Sequence, residues 1–104
     1  MPIIYVFSRH LPENCPMFNE KARKAMVDYM NAGERIGKKH GIKVIFSGGV
    51  HTEHLSLEVF DAPSVDAFRK SLSEPEIIAL SQFETYEVKL GESAEEAMKM
   101  LKGK

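Results

Sequence analysis

The sequence has one cysteine, so Cys15 cannot close a disulfide within the chain, and such usage fits a reducing compartment. No apolar run approaches the ~20 residues of a membrane span and no signal-peptide pattern opens the chain, so a cytoplasmic protein is expected. Net charge is −1, which leaves no electrostatic footprint for DNA, RNA or an anionic membrane. Lys21, Arg23, Lys24, Arg35, Lys38 and Lys39 crowd one segment, but acidic residues alternate with them and they read as a solvated face. There is no low-complexity tract and no fixed-period repeat. What is present, 43% hydrophobic and 28% charged residues over 104 positions, describes one globular domain across 1–104 with a modest core. The Lys-Gly-Lys end, 102–104, is expected to fray.

Residues 43–61, KVIFSGGVHTEHLSLEVFD, organise the chain. Val44-Ile45-Phe46 and Leu55–Phe60 are apolar runs either side of a polar stretch with two glycines and two histidines, the pattern of a β-hairpin. Ahead of it, 3–9 is a nearly continuous apolar run that reads as a central strand. Pro12 excludes helix just before it. Asn14 is the expected N-cap, with Pro16 in the first turn, of a helix across 17–40. There Phe18, Ala22, Ala25, Met26, Tyr29, Gly33, Ile36, Gly37 and His40 recur at spacings of three and four. Gly33 and Gly37 suggest a close approach of helix to sheet, and Gly41 ends the helix.

After the hairpin, Val65, Phe68 and Leu72 mark a short helix, and Ser73-Glu74-Pro75-Glu76 reads as a capping box opening another to about Leu80. A last strand runs from Phe83 to Leu90. Ser93-Ala94-Glu95-Glu96 caps a terminal helix with an apolar stripe of Ala94, Ala97, Met98 and Leu101. The order is that of an α+β, ferredoxin-like βαββαβ protomer with an extra C-terminal helix. Right-handed crossovers place the third strand between the first and second, antiparallel to both, with the fourth outside the first.

That topology brings the end of the first strand, the start of the first helix and the hairpin to one sheet edge, which carries His10, Cys15, His51, Glu53 and His54. On the third strand Leu55, Leu57 and Val59 share a face, expected to lie under the helices. Ser56, Glu58 and Phe60 share the other with His54, continued by Ile4, Val6, Ser8 and His10. A second copy, sheet on sheet, would cover that face and enclose a partly polar cavity. A homodimer is therefore expected.

Imidazole and thiolate suit zinc or iron, so His10, Cys15 and His54 are the candidate metal ligands, with His51, Glu53 and Glu58 as possible additions. Fully extended, His51 and His54 would point to opposite faces, so they converge only if the turn bends. Against the metal reading stands the ordinary one, polar residues rimming a hairpin. Cys15, in the first turn of a helix, is a second candidate as nucleophile or redox sensor, its thiol lowered by the helix dipole. Glu58, buried in mid-strand, is the candidate catalytic acid or base, paired with His10 or His54. Pro2 would expose a secondary amine after loss of Met1, but its strand pattern fits a tautomerase poorly. Gly48-Gly49 lies in a hairpin rather than a strand-to-helix turn, so no cofactor-binding residues are assigned.

The stretch HTEHLSLEVFDAPSVDAFRKSL resembles the dimeric α/β-barrel superfamily, a strand running into an acidic-Ala-Pro turn and a short helix. Within it, the GYD-domain and related small families are the nearest in pattern, and His10-Leu11-Pro12-Glu13-Asn14-Cys15-Pro16 resembles the opening of some archaeal members. The resemblance implies a ferredoxin-like protomer that dimerises. It implies no single activity, since members include cofactor-free monooxygenases, haem proteins and lactone isomerases. The expectation is thus a protein binding a metal or small molecule near His10, Cys15 and His54. The alternatives are a non-catalytic dimerisation module or a cofactor-free monooxygenase or isomerase.

Overall fold

The computed structural model describes residues 2–104. Strand β1 (Ile3–Arg9) leads through a 3-10 turn (Pro12–Asn14) to helix α1 (Glu20–His40), then β2 (Lys43–Val50), a second 3-10 turn (His51–Glu53) and β3 (Leu55–Asp61). Helices α2 (Val65–Ser71) and α3 (Pro75–Ser81), strand β4 (Thr85–Gly91) and helix α4 (Ala94–Lys102) complete it. The four strands are antiparallel in the order β2-β3-β1-β4, the order that right-handed crossovers dictate. The fold is α+β and ferredoxin-like, with α4 appended.

Local chemistry sets most boundaries. The side chain of Asn19, not Asn14, accepts from the Ala22 N–H at 2.9 Å and starts α1. Asn14 ends a separate 3-10 turn, because the backbone closes there on Leu11 before the helix begins. Gly41, at φ +71°, ends α1 in the left-handed conformation that glycine adopts without penalty. Ser64 caps α2 and Ser93 caps α4 through their hydroxyls. Ser73 does not cap α3: Glu74 occupies that position without a side-chain cap bond. Its carboxylate turns instead to Lys39, His40 and Arg35, tying α3 to α1. Gly48 and Gly49 lie inside β2, the turn falls at His51–Glu53, and the irregularity in the ladder falls at Val44/Phe46. The terminal helix continues through Lys102, one residue into the segment expected to fray.

The layering reverses one expectation. Ile4 and Val6 form the core with Ala62 of the loop after β3 and Phe68 of α2, and Phe60 packs against them. Val6 pairs with Glu58 and Ser8 with Ser56, so this face, not that of Leu55, Leu57 and Val59, lies beneath the helices. The third strand alone misleads because its apolar alternate set is the better hydrophobic face. Strand β1 is apolar on both sides, and Tyr29 of α1 supplies the partner that lets Glu58 face inward. The helix-free face then presents Tyr5, Phe7, Leu55 and Leu57.

The two α1 glycines also divide. A Cβ at Gly37 would lie 2.8 Å from the Ile42 carbonyl oxygen, so close approach requires glycine there, to the chain entering β2 rather than to a strand. At Gly33 a Cβ would meet nothing within 4 Å, and no close approach exists. The radius of gyration, 15.0 Å, exceeds the about 13 Å of a compact chain of this length. Helix α4, which buries no residue, accords with that elongation.

Candidate functional site

Three segments converge at the sheet edge. Beyond Arg9 the backbone N–H of His10 still donates to the His54 carbonyl at 3.2 Å, so the ladder carries both histidines to its last rung. The N–H of Cys15 donates to Pro12, and its carbonyl accepts from Phe18 at 2.9 Å and Asn19 at 2.8 Å. Cys15 is 3% exposed, and its backbone is fixed by the same residues that lead into α1. It lies five residues ahead of α1, not in its first turn, so the helix-dipole argument for a reactive thiol does not apply.

The hairpin turn does bend. His54 closes it at φ +55°, ψ +39°, and is the only non-glycine residue with positive φ among the described residues. A left-handed histidine costs on the order of 1 kcal/mol, and such strain gathers at functional positions. Here it swings the His54 ring toward β1, with Nδ1 3.0 Å from His10 Nε2 and the ring planes 74° apart. One imidazole N–H must donate to the other's bare nitrogen. Burial, and secondarily the charge of His54, hold His10 below the usual histidine range.

One ligand atom from each of His10, Cys15 and His54 lies within 4.8 Å of the other two. A tetrahedral zinc with nitrogen at about 2.0 Å and sulfur at about 2.3 Å needs its ligand atoms about 3.3–3.6 Å apart. The cluster therefore needs side-chain adjustments of about 1 Å, within rotamer freedom. Two nitrogens and a sulfur are the donors that zinc and iron accept, and a fourth position would stay open toward a cleft lined by Met17, Met26, His51 and Glu84. His51, Glu53 and Glu58, the possible additional ligands, are not part of this cluster.

Glu58 sits elsewhere on the same face. Its carboxylate accepts the Tyr29 hydroxyl at 3.0 and 3.1 Å, and not an imidazole, so the expected pairing with His10 or His54 is replaced by a tyrosine. Four residues of strand separate it from His54, about 13 Å. Burial pushes Glu58 above the ordinary carboxylate value, opposed by bonds from Tyr29 and Ser47. Burial, with the Glu58 charge added, pushes Glu84 up to about 7, and burial with the Glu84 and then the Glu58 charge raises Tyr86. Glu84 and Tyr86 went unread in the sequence, and Tyr29 reads there only as part of the apolar stripe of the first helix. Tyr29 alone carried a signal, a hydroxyl on the apolar stripe of α1 facing a sheet with an unpartnered carboxylate.

Among the described residues no helix is long and apolar enough to cross a membrane. No protein-family model matches the chain, the GYD-domain families included, and no curated protein matches it. Solved structures do. Protein Atu4242 from Agrobacterium tumefaciens is 14% identical, with 90% of this chain and 94% of that one covered at a TM-score of 0.60. RPA0582 from Rhodopseudomonas palustris, a protein of unknown function, is 15% identical over 88% of this chain and 84% of that one at 0.55. SnoaB from Streptomyces nogalater, a cofactor-independent oxygenase, is 14% identical over 88% and 92%, at 0.47. At these identities the likeness to the first two is one of fold, the ferredoxin-like arrangement derived above from crossovers and register.

Proposed function

We propose that the protein binds zinc or iron through His10, Cys15 and His54 and uses the open position beside them for a small molecule. The observation that supports this is the convergence of two imidazole nitrogens and a thiol sulfur within 4.8 Å, from two strand ends and a turn, with His54 held in a strained backbone conformation. Bound metal would supply a Lewis acid or an activated water at that position. The chain's own contribution is geometric: the ladder sets the histidine spacing and the Pro12–Asn14 turn sets the thiol. Glu58 is the candidate acid or base of a separate cleft between α1 and the sheet, about 13 Å along the strand from His54, and does not act on the metal.

A homodimer through the helix-free face belongs to the same proposal. Tyr5, Phe7, Leu55 and Leu57 form a half-buried apolar surface there that a second copy would close over. Because Glu58 and the histidines lie on the opposite face, the site is complete within one chain, and dimerisation would stabilise it without adding ligands. The site test is elemental analysis of the untagged protein beside His54→Ala and Cys15→Ser. About one zinc or iron per chain, lost in both variants, is expected for a three-ligand centre. Metal-free protein after anaerobic reconstitution would contradict it and leave a cofactor-free role for the cavity.

A further inference from the structure

Between α1 and the sheet lies an open-sided cleft with room for about 150 Å³, walled by Val6, Ile36, Phe60, Phe68 and Leu80, with Val88 exposed at its mouth. Ser71 also borders it, but its hydroxyl donates to the Phe68 carbonyl at 2.6 Å. The polar groups left are Glu58 with its Tyr29 donor, and Tyr86. A carboxylate has about four acceptor positions, of which Tyr29 and Ser47 fill only part. No ion pair among the described residues involves Glu58.

Two features of this cavity work against stability. Apolar lining such as Val88 and Val44 is left in water, and Gly33, exposed on the border, weakens α1 although a Cβ there would touch nothing within 4 Å. Neither is required by the fold, in contrast to Gly37. Both are what a ligand needs.

We infer that this cavity binds a neutral single-ring aromatic molecule with one hydroxyl donor, a phenol, its ring against the apolar wall and its hydroxyl donating to Glu58. An apolar cavity of about 150 Å³ holds a benzene ring. The carboxylate selects a donor at one end of it. An ammonium would have to leave water for an apolar wall, and a carboxylate ligand would meet Glu58 head on. The inference does not rest on the metal centre, which lies at the far end of the same face.

Phenol, toluene, benzoate and benzylammonium are titrated into the full chain by calorimetry, as purified and after chelation, with nuclear Overhauser contacts from ring to protein recorded. Phenol saturates one site, contacts the Val6 and Val88 methyls and binds equally with and without chelator. Toluene, lacking the donor, binds at least about tenfold more weakly, and the two charged probes weaker still. Gly33→Leu, which fills the space, abolishes phenol binding while keeping the circular dichroism and Tm of a folded protein. The inference is overturned by absent saturation in the wild type, by phenol binding retained in Gly33→Leu, or by tighter binding of either charged probe. A chelator-dependent affinity also overturns it, since the ring would then sit at the His/Cys cluster.

Discussion

Tyr29→Phe isolates the polar contact that lets Glu58 face the helices. It removes one hydroxyl that donates to both carboxylate oxygens, at 3.0 and 3.1 Å, and leaves the ring in place. A hydrogen bond to a charged group contributes about 1.5–3 kcal/mol and one to a neutral group about 1. Burial raises Glu58 above 4.5, so the folded state holds this proton more tightly than the unfolded chain does. The associated stability is full below pH 4.5 and is lost as pH rises through the folded value. Tyr29 opposes that rise, so its removal extends the loss. Urea unfolding should therefore show Tyr29→Phe about 1 kcal/mol less stable than wild type at pH 4 and about 2 kcal/mol less at pH 8. In thermal melts the pH 8 loss is roughly 10 °C for a domain of this size. Equal losses at the two pH values, or none at pH 8, would refute the claim that the tyrosine compensates a buried carboxylate.

The α1 glycines should respond with opposite signs. Gly33→Ala, with open space around the new Cβ, stabilises by about 1 kcal/mol from helix propensity, whereas Gly37→Ala destabilises because its Cβ meets the Ile42 carbonyl, both read by denaturant unfolding. Lys39, with His40 and Arg35, draws the Glu74 carboxyl down to about 2. Its stabilisation is present above pH 4.5 and is lost as pH falls toward 2, so Glu74→Gln lowers Tm at pH 7 and matches wild type near pH 2. His54→Gly relieves the φ +55° backbone, so the metal-free variant keeps a Tm at or above that of wild type. That outcome separates lost ligation from lost folding.

The sheet order was legible because a long helix after the first strand, a hairpin, and a second helical segment leave few connections that obey crossover handedness. The same topology drew His10, Cys15 and His54 to one edge although their spacing matches no metal motif. The face beneath the helices was not legible. Alternation on β3 ranks Leu55, Leu57 and Val59 above Ser56 and Glu58, and the packing of Ile4, Val6 and Phe60 against Phe68, with Tyr29 partnering Glu58, reverses that ranking. Helix starts failed for a related reason. Asn14 is the cap expected from sequence, and the Cys15 carbonyl, by accepting from Phe18 and Asn19, moves the start of α1 to Asn19. Gly33 and Gly37 likewise look alike until β2 enters beside one of them.

X-ray absorption at the zinc edge, on protein reconstituted with one equivalent of zinc, tests the metal centre most directly because it reads the donor atoms themselves. The predicted first shell has one sulfur at about 2.3 Å and two imidazole nitrogens at about 2.0 Å with one lighter ligand, and the sulfur disappears in Cys15→Ser. A shell of oxygen and nitrogen alone, unchanged in Cys15→Ser, would place the zinc away from His10, Cys15 and His54 and contradict the account.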